Sequence, residues 1–268
     1  MMGGGRFSSV RVAVGESDLW LGWVGGRDPA SPPCAPSREP DGALVAERAE
    51  SLLRSVRAEI RARISADPAF LSSLSPLPPD PEAKRTVRAM LDAAAAADVG
   101  PMAAVAGAIA QEVGEGLHRE FGFAELVVEN GGDFWLNVRE PLAVAVYAGL
   151  SSLSLTFAVM IPPELCPCGL ACSSGTVGPS LSFGKADAAI VVASSAAAAD
   201  AWATALGNRV KYRDELESAV TGIISARPSD PLLAPLGALA VMADRFAAAG
   251  SIRLAPLPDR SASDSIRP

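Results

Sequence analysis

The sequence predicts an α+β fold, a mixed or antiparallel sheet packed by helices, and three observations support that reading. Short runs rich in Val, Trp, Phe and Ile are bounded by Gly, Asn, Asp and Ser, the pattern of strands in hairpins. Longer stretches carry apolar residues three and four positions apart, the pattern of amphipathic helices. The two kinds interleave, but not in the regular strand–helix–strand order of a doubly wound sheet. A chain of 268 residues, 49% hydrophobic and 20% charged, can bury a sizeable core. The expected organisation is one domain over residues 1–256 and a polar, disordered tail over 257–268.

Phe7 to Val14 and Leu19 to Val24, joined by Gly15-Glu16-Ser17-Asp18, read as a hairpin. Arg27 to Gly42, crowded with Pro, Ser and Asp, reads as a loop. Ala43 to Ile64 reads as a helix, with Val45, Ala49, Leu52, Val56, Ile60 and Ile64 on one stripe and Glu and Arg opposite. A Pro-rich break over Pro76 to Pro81 precedes a second helix, Glu82 to Ala97. Asp98-Val99-Gly100-Pro101 punctuates before a third helix, Met102 to Leu117, whose Ala and Gly let a backbone approach closely.

Strands are expected at Ala124 to Val128, Phe134 to Val138, Leu142 to Tyr147 and Leu155 to Met160. A Cys/Gly/Ser loop then leads to an apolar strand, Ala186 to Ala193. Helices are expected at Ala196 to Leu206, Asp214 to Ala226 and Leu236 to Ala249. The uncharged stretch from Pro141 to Pro163 is interrupted by Gly149, Ser151, Ser152 and Ser154, so it reads as two buried strands around a turn, not as a membrane helix.

The net charge of −7, from 30 acidic and 23 basic residues, repels a phosphate backbone and argues against a nucleic-acid partner. Met1 to Arg6 lacks the apolar core of a signal peptide, and Cys34, Cys166, Cys168 and Cys172 lack a secretory context. Reduced thiols, a cytoplasmic location and no membrane partner are therefore expected.

Three segments could carry chemistry. Glu129-Asn130-Gly131-Gly132-Asp133 is either a tight hairpin turn or a turn whose glycine amides approach a phosphate, with Asn130 and Asp133 as polar contacts. Cys172-Ser173-Ser174-Gly175-Thr176-Val177-Gly178 could cradle an anion, although it lacks the lysine of a phosphate-binding P-loop. Asp200 and Thr204, at i and i+4, share a helical face and offer hard oxygens to Mg²⁺; the bland alternative is a surface Asp beside an inward Thr.

Lys185 and Asp187 read as a strand-end ion pair or a charge pair facing a ligand. The spacing Cys166-x-Cys168, then Cys172, does not build a tetrahedral zinc site. The single histidine, His118, reads as a cation at a helix end, with nothing aiming it at a nucleophile.

These segments occur in order with others. Gly100-Pro101-Met102 running to Ala110, Val128 to Asp133, Ser173 to Gly178, Ser182 to Ala188 and Ala199 to Ala205 together resemble the motif series of an uncharacterised protein family in the ApbE-like superfamily. The resemblance runs from about Arg11 to Val210.

The superfamily's flavin-transferase branch binds FAD and a divalent metal and attaches FMN through a phosphoester to a Ser or Thr of a target protein. The resemblance implies that Asn130, Gly131, Gly132 and Asp133 match its Asn-x-Gly-Gly-Asp turn and that Ser173, Ser174 and Gly175 match its Thr-Ser-Gly loop, with Thr176 beside them as a further cofactor-binding residue. It implies too that Asp200 and Thr204 are its metal ligands, Mg²⁺ being the expected ion. FAD or FMN, or a similar phosphorylated small-molecule ligand, and a target protein are the implied partners.

Three departures separate this chain from that branch. Gln111 and Glu112 stand where the transferases carry a lysine; their His-Ile-x-Asp-Pro segment has no counterpart; and Gly178-Pro179-Ser180 replaces the Gly-His-Ser of closer relatives. Two other readings remain open: a persulfide carrier using Cys166, Cys168 or Cys172, and a non-catalytic scaffold.

Overall fold

The structure, a computed structural model, describes residues 5–26, 39–175 and 184–257. Cys34, Thr176 to Phe183, most of the loop expected over Arg27 to Gly42 and all but the first residue of the expected tail lie outside them.

Eleven strands and six α-helices make up the described chain. Strands β1 (Ser8–Val14) and β2 (Ser17–Val24) form the expected hairpin. Helix α1 (Gly42–Ala66) begins at Asp41, whose carboxylate accepts from the Ala43 amide, and buries Val45, Ala49, Leu53, Val56 and Ile60. A short α2 (Ala69–Ser72) and α3 (Arg85–Ala97) follow. The expected third helix opens as a 3-10 turn over Pro101–Ala104 and continues as α4 (Val105–Phe121).

Next come β3 (Glu125–Asn130), β4 (Asp133–Asn137), β5 (Leu142–Ala145), β6 (Phe157–Ile161), β7 (Cys168–Ser173) and β8 (Ala188–Ala193). The chain continues through α5 (Ala196–Arg209), α6 (Leu216–Ile224), β9 (Pro235–Met242), β10 (Arg245–Gly250) and β11 (Arg253–Pro256).

All strand pairings among the described residues are antiparallel. One sheet has the order β1-β2-β3-β4-β7-β8-β9-β10, and a smaller one the order β11-β6-β5. Alternate residues of the large sheet feed two cores. Leu126, Val128, Ala189 and Val191 meet the helices, while Val127, Ile190 and Val192 meet β5 and β6 through Val144, Val159 and Ile161. The large sheet is thus covered on both faces, so β8 reads as an unbroken apolar run with every residue buried. The uncharged stretch forms the expected strand pair, β5 with β6. No single described helix is long and apolar enough to cross a membrane.

Two expectations are corrected. Leu236 to Ala249 is not a helix: it spans most of the β9–β10 hairpin, turning at Ala243 with φ 57°. Its Ala- and Leu-rich composition favours a helix locally, but β9 is sandwiched between β8 and β10, and Asp187 accepts a hydrogen bond from the Ala243 amide at 2.6 Å. Asp187 thereby has a structural task. The segment from Cys168 to Ser173, expected as loop, is β7, which joins β4 to β8 at the centre of the sheet. Its Cys and Gly give little strand signal.

Candidate functional site

The β3–β4 hairpin turns on Gly131 and Gly132, at φ 66° and 105°, conformations that glycine accepts without strain. The turn presents two buried polar side chains, Asn130 at 7% exposure and Asp133 at 8%. Asn130 Nδ2 donates to the Ala106 carbonyl at 3.1 Å, tying the hairpin to the start of α4. Asp133 Oδ1 accepts from the Cys172 amide at 3.3 Å, tying it to β7.

The start of α4 is also held by α5. Asp200 Oδ2 accepts from the Gly107 amide at 2.9 Å, and the Ala106 amide supports its charged form. A Cβ at Gly107 would lie 2.2 Å from the Ala196 carbonyl oxygen and 2.9 Å from Asp200 Cβ, so the two helices cross this closely only because residue 107 is glycine. The crossing brings Asp200 and Asp133 together.

Their electrostatics follow from that meeting. Burial pushes the Asp200 carboxyl up to about 7, against the pull of the Gly107 and Ala106 amides. Asp133 is raised well above the usual carboxylate range, first by burial and then by the negative charge of Asp200. Two carboxylates confined together resist simultaneous ionisation unless a cation joins them.

A groove runs past this pair. One chamber, of about 280 Å³, is lined by Asp133, Asp200, Thr204, Asn208 and the Gly100–Ala106 stretch. Another, of about 530 Å³, shares Leu71, Met102, Val105, Ala106 and Asp133 with it and extends along α1 past Ile60 and Ile64. Asp200, Thr204 and Asn208 follow one another at i, i+4 and i+8 down one face of α5.

The structure therefore gathers Asn130, Gly131, Asp133, Asp200 and Thr204 around one groove. Gly132 lies in the same turn, its amide donating to Glu129 Oε1 at 2.9 Å. Ser173, Ser174 and Gly175 stand next to this turn through Cys172 but line neither chamber; the Gly175 amide donates to the Ala186 carbonyl at 2.9 Å. Thr176 lies outside the described residues.

Sequence reasoning missed Asn208, which extending the i+4 stripe by one turn would have found. It also missed Arg57 and Arg61, which read as ordinary surface charges of α1 and instead line the larger chamber.

The implied divalent ion can be tested against this donor set. Among the described residues no group of three or more His, Cys, Asp and Glu is arranged to hold a metal. Two carboxylates, a hydroxyl and a side-chain amide oxygen nevertheless suit a hard cation that completes its shell with water and phosphate. The set fits Mg²⁺ of that kind and not a metal wanting thiolates or imidazoles.

Two of the residues that depart from the flavin-transferase pattern, Gln111 and Glu112, have structural duties, while Gly178-Pro179-Ser180 lie outside the described residues. Gln111 Oε1 accepts from the Ala196 amide at 2.9 Å and from Ser195 Oγ at 3.1 Å, capping the start of α5. Glu112 pairs with Arg85 at 3.0 Å. His118, in the last turn of α4, stacks obliquely near Trp135 and lines neither chamber.

The thiols differ in character. Cys166 is lowered to about 7, chiefly by a hydrogen bond with Cys168, whose own thiol is pushed up by that partner and by burial. Burial, with the charge of Asp133 beside it, pushes Cys172 up to about 12, so the thiol nearest the groove stays protonated at neutral pH.

A family model described as AbpE bacteria matches residues 1–232. The chain is 45% identical over 165 residues to a UPF0280 protein of Methanosphaerula palustris, covering 62% of this chain and 69% of that one. It is 42% identical over 201 residues to a UPF0280 protein of Methanoculleus marisnigri, covering 74% and 77%. Among solved structures, the fold resembles the Pseudomonas stutzeri flavinyl transferase ApbE in its apo form, with TM-score 0.51, 12% identity and 91% and 94% of the two chains covered. It also resembles a mutant of the flavin transferase ApbE from Vibrio cholerae, with TM-score 0.50, 12% identity and 92% and 98% covered. The fold is thus α+β and ApbE-like, and the chain belongs to the AbpE bacteria family, an uncharacterised ApbE-like family that its UPF0280 relatives share.

Proposed function

We propose that this protein binds a flavin nucleotide, FAD or FMN, or a similar phosphorylated ligand, together with a divalent cation such as Mg²⁺. The observation that carries this reading is the meeting of Asp133 and Asp200 at the wall of the groove, both raised by burial. Carboxylates alone repel phosphate, so a groove that admits a nucleotide past them needs a cation between the two. Asp200 and Thr204 would hold that ion from α5, with Asp133 facing them from the hairpin turn and Asn208 one turn along. When bound, the ion neutralises phosphate charge.

The remaining work falls to the protein. Asn130 fixes the hairpin against α4, so that Asp133 keeps its orientation. The Gly107 amide holds the Asp200 carboxylate in one rotamer. Met102, Val105 and Ile109 exclude water from one wall of the larger chamber and offer an apolar surface to a flat ring.

The ApbE-like fold makes transfer of FMN to a protein Ser or Thr the reaction to test first. In that reaction the acceptor oxygen forms a bond to the FMN phosphorus, the pyrophosphate bond breaks, AMP leaves and the hydroxyl proton must be removed. Neither His nor Lys lines the groove among the described residues, so binding stands ahead of transfer in this proposal.

Titrating the purified protein with FAD, with and without Mg²⁺, tests the reading. Quenching of flavin fluorescence is expected at tens of micromolar, roughly 6 kcal/mol of binding, and only with the metal present. No quenching in that range, or quenching indifferent to Mg²⁺, would sink it.

A further inference from the structure

The α1 end of the groove is built differently from its Asp133–Asp200 end. Arg57 and Arg61, both on α1, supply the only cations among the described residues that line either chamber. Arg57 is 11% exposed in its side chain and is fixed in place: Nη1 donates to Ser17 Oγ at 2.7 Å and Nη2 pairs with Glu16. A Cβ at Gly15 would fall 2.4 Å from Arg57 Nη2, so the guanidinium packs directly against the β1–β2 turn, where Gly15 takes φ 60°. The Nε proton of Arg57 is buried with no partner, an uncommon and costly state. Arg61 is exposed and feels Glu16 only electrostatically. The same chamber has apolar lining from Ile60, Ile64, Val105 and Ile109.

We propose that this α1 end is a subsite in which Arg57 and Arg61 read the acceptor-rich edge of a planar heterocycle, orienting the bound ligand along the groove. The proposal rests on the functional reading above and adds the ligand's direction and its second recognition point. A ring of flavin size, with carbonyl oxygens and ring nitrogens on one edge, fits a chamber of about 530 Å³ with apolar walls and a cationic end. Its phosphates then extend past Ala106 toward Asp133 and Asp200. Arginine suits the edge because its planar fork donates to two neighbouring acceptors at once. Arg57 supplies a fixed donor and Arg61 a movable one, while Glu16 leaves this end with one net positive charge.

The test compares wild type, Arg61→Gln and Arg57→Lys. Each is titrated with FAD and with FMN by fluorescence quenching in Mg²⁺, and with inorganic pyrophosphate as a competitor that has no ring. Arg61→Gln should weaken FAD and FMN on the order of tenfold, the loss of one charge-assisted hydrogen bond, and leave the pyrophosphate competition constant unchanged. Arg57→Lys should weaken the two flavins likewise while keeping the charge; melting curves show whether either variant is folded. A loss on pyrophosphate equal to that on FAD overturns the proposal, because the cations would then read phosphate and the ligand would lie the other way. If wild type binds FAD only with Mg²⁺ and Arg61→Gln binds it equally well, the subsite falls and the functional reading stands. If wild type binds neither flavin, both fall.

Discussion

Replacing Asp200 by Asn separates the charge of this carboxyl from its hydrogen bond. Asp200→Asn keeps a side-chain oxygen for the Gly107 amide, which now bonds Asp200 Oδ2 at 2.9 Å, and removes the ionisation that burial opposes. Burial lifts this carboxyl from an ordinary 3.8 to about 7. Each tenfold change in proton affinity is worth about 1.4 kcal/mol, so ionising Asp200 at pH 8 costs the fold at most about 4 kcal/mol. Asp200 opens partly onto the groove, and solvent screening brings that nearer to ~2 kcal/mol.

The sign is fixed by the direction of the shift. A carboxyl whose folded pKa is raised keeps its proton longer when folded, so the penalty is absent below pH 4 and grows until pH 7. The substitution should therefore raise the melting temperature of the metal-free protein at pH 8 by roughly 4–8 °C, at about 2–4 °C per kcal/mol. It should change little at pH 4. Relief of Asp133, which Asp200 also raises, works in the same direction. Thermal melts followed by circular dichroism at the two pH values, with and without Mg²⁺ plus FAD, provide the readout. Wild type should gain stability from the additions at pH 8, and the variant should not. A variant that melts lower than wild type at pH 8, or gains equally at both pH values, would refute the electrostatic reasoning.

Gly107→Ala should destabilise the protein by about 2–3 kcal/mol in a urea titration, because its Cβ would lie 2.2 Å from the Ala196 carbonyl oxygen and force α4 away from α5; stability equal to wild type would show the crossing to be looser than described. With iodoacetamide at pH 7.5, Cys166 should be alkylated first, roughly tenfold or more ahead of Cys168 and Cys172, since its thiol is held down to about 7 while Cys172 is pushed up to about 12. Peptide mapping by mass spectrometry reads the order. Early labelling of Cys172 would revive it as a sulfur carrier.

Sequence alone determined those parts of the molecule whose signals are local. The β1–β2 hairpin is written in alternating apolar residues around Gly15. Helix α1 is written in its 3.6-residue stripe, and β8 in an apolar run too short for a helix. The Asn130–Asp133 turn and the Asp200–Thr204 pair were legible as candidates because a tight turn demands Gly131 and Gly132 and a helix sets i next to i+4. Even the coverage of the uncharged stretch by a strand pair could be read from its Gly and Ser breaks.

Tertiary structure decided the rest. The run from Leu236 to Ala249 suits a helix by composition and became a hairpin because β8 offered a buried partner, and Cys168 to Ser173 became a central strand between β4 and β8 despite its weak propensity. The site itself required the fold in a stronger sense. Asp133 and Asp200 belong to different elements far apart in the chain, and no local pattern says that α4 and α5 cross at Gly107 and set them side by side. The raised proton affinity of Asp200 arises from burial and that of Asp133 from burial and the charge of Asp200, which depend on distance through space and on displaced water, and a sequence records neither.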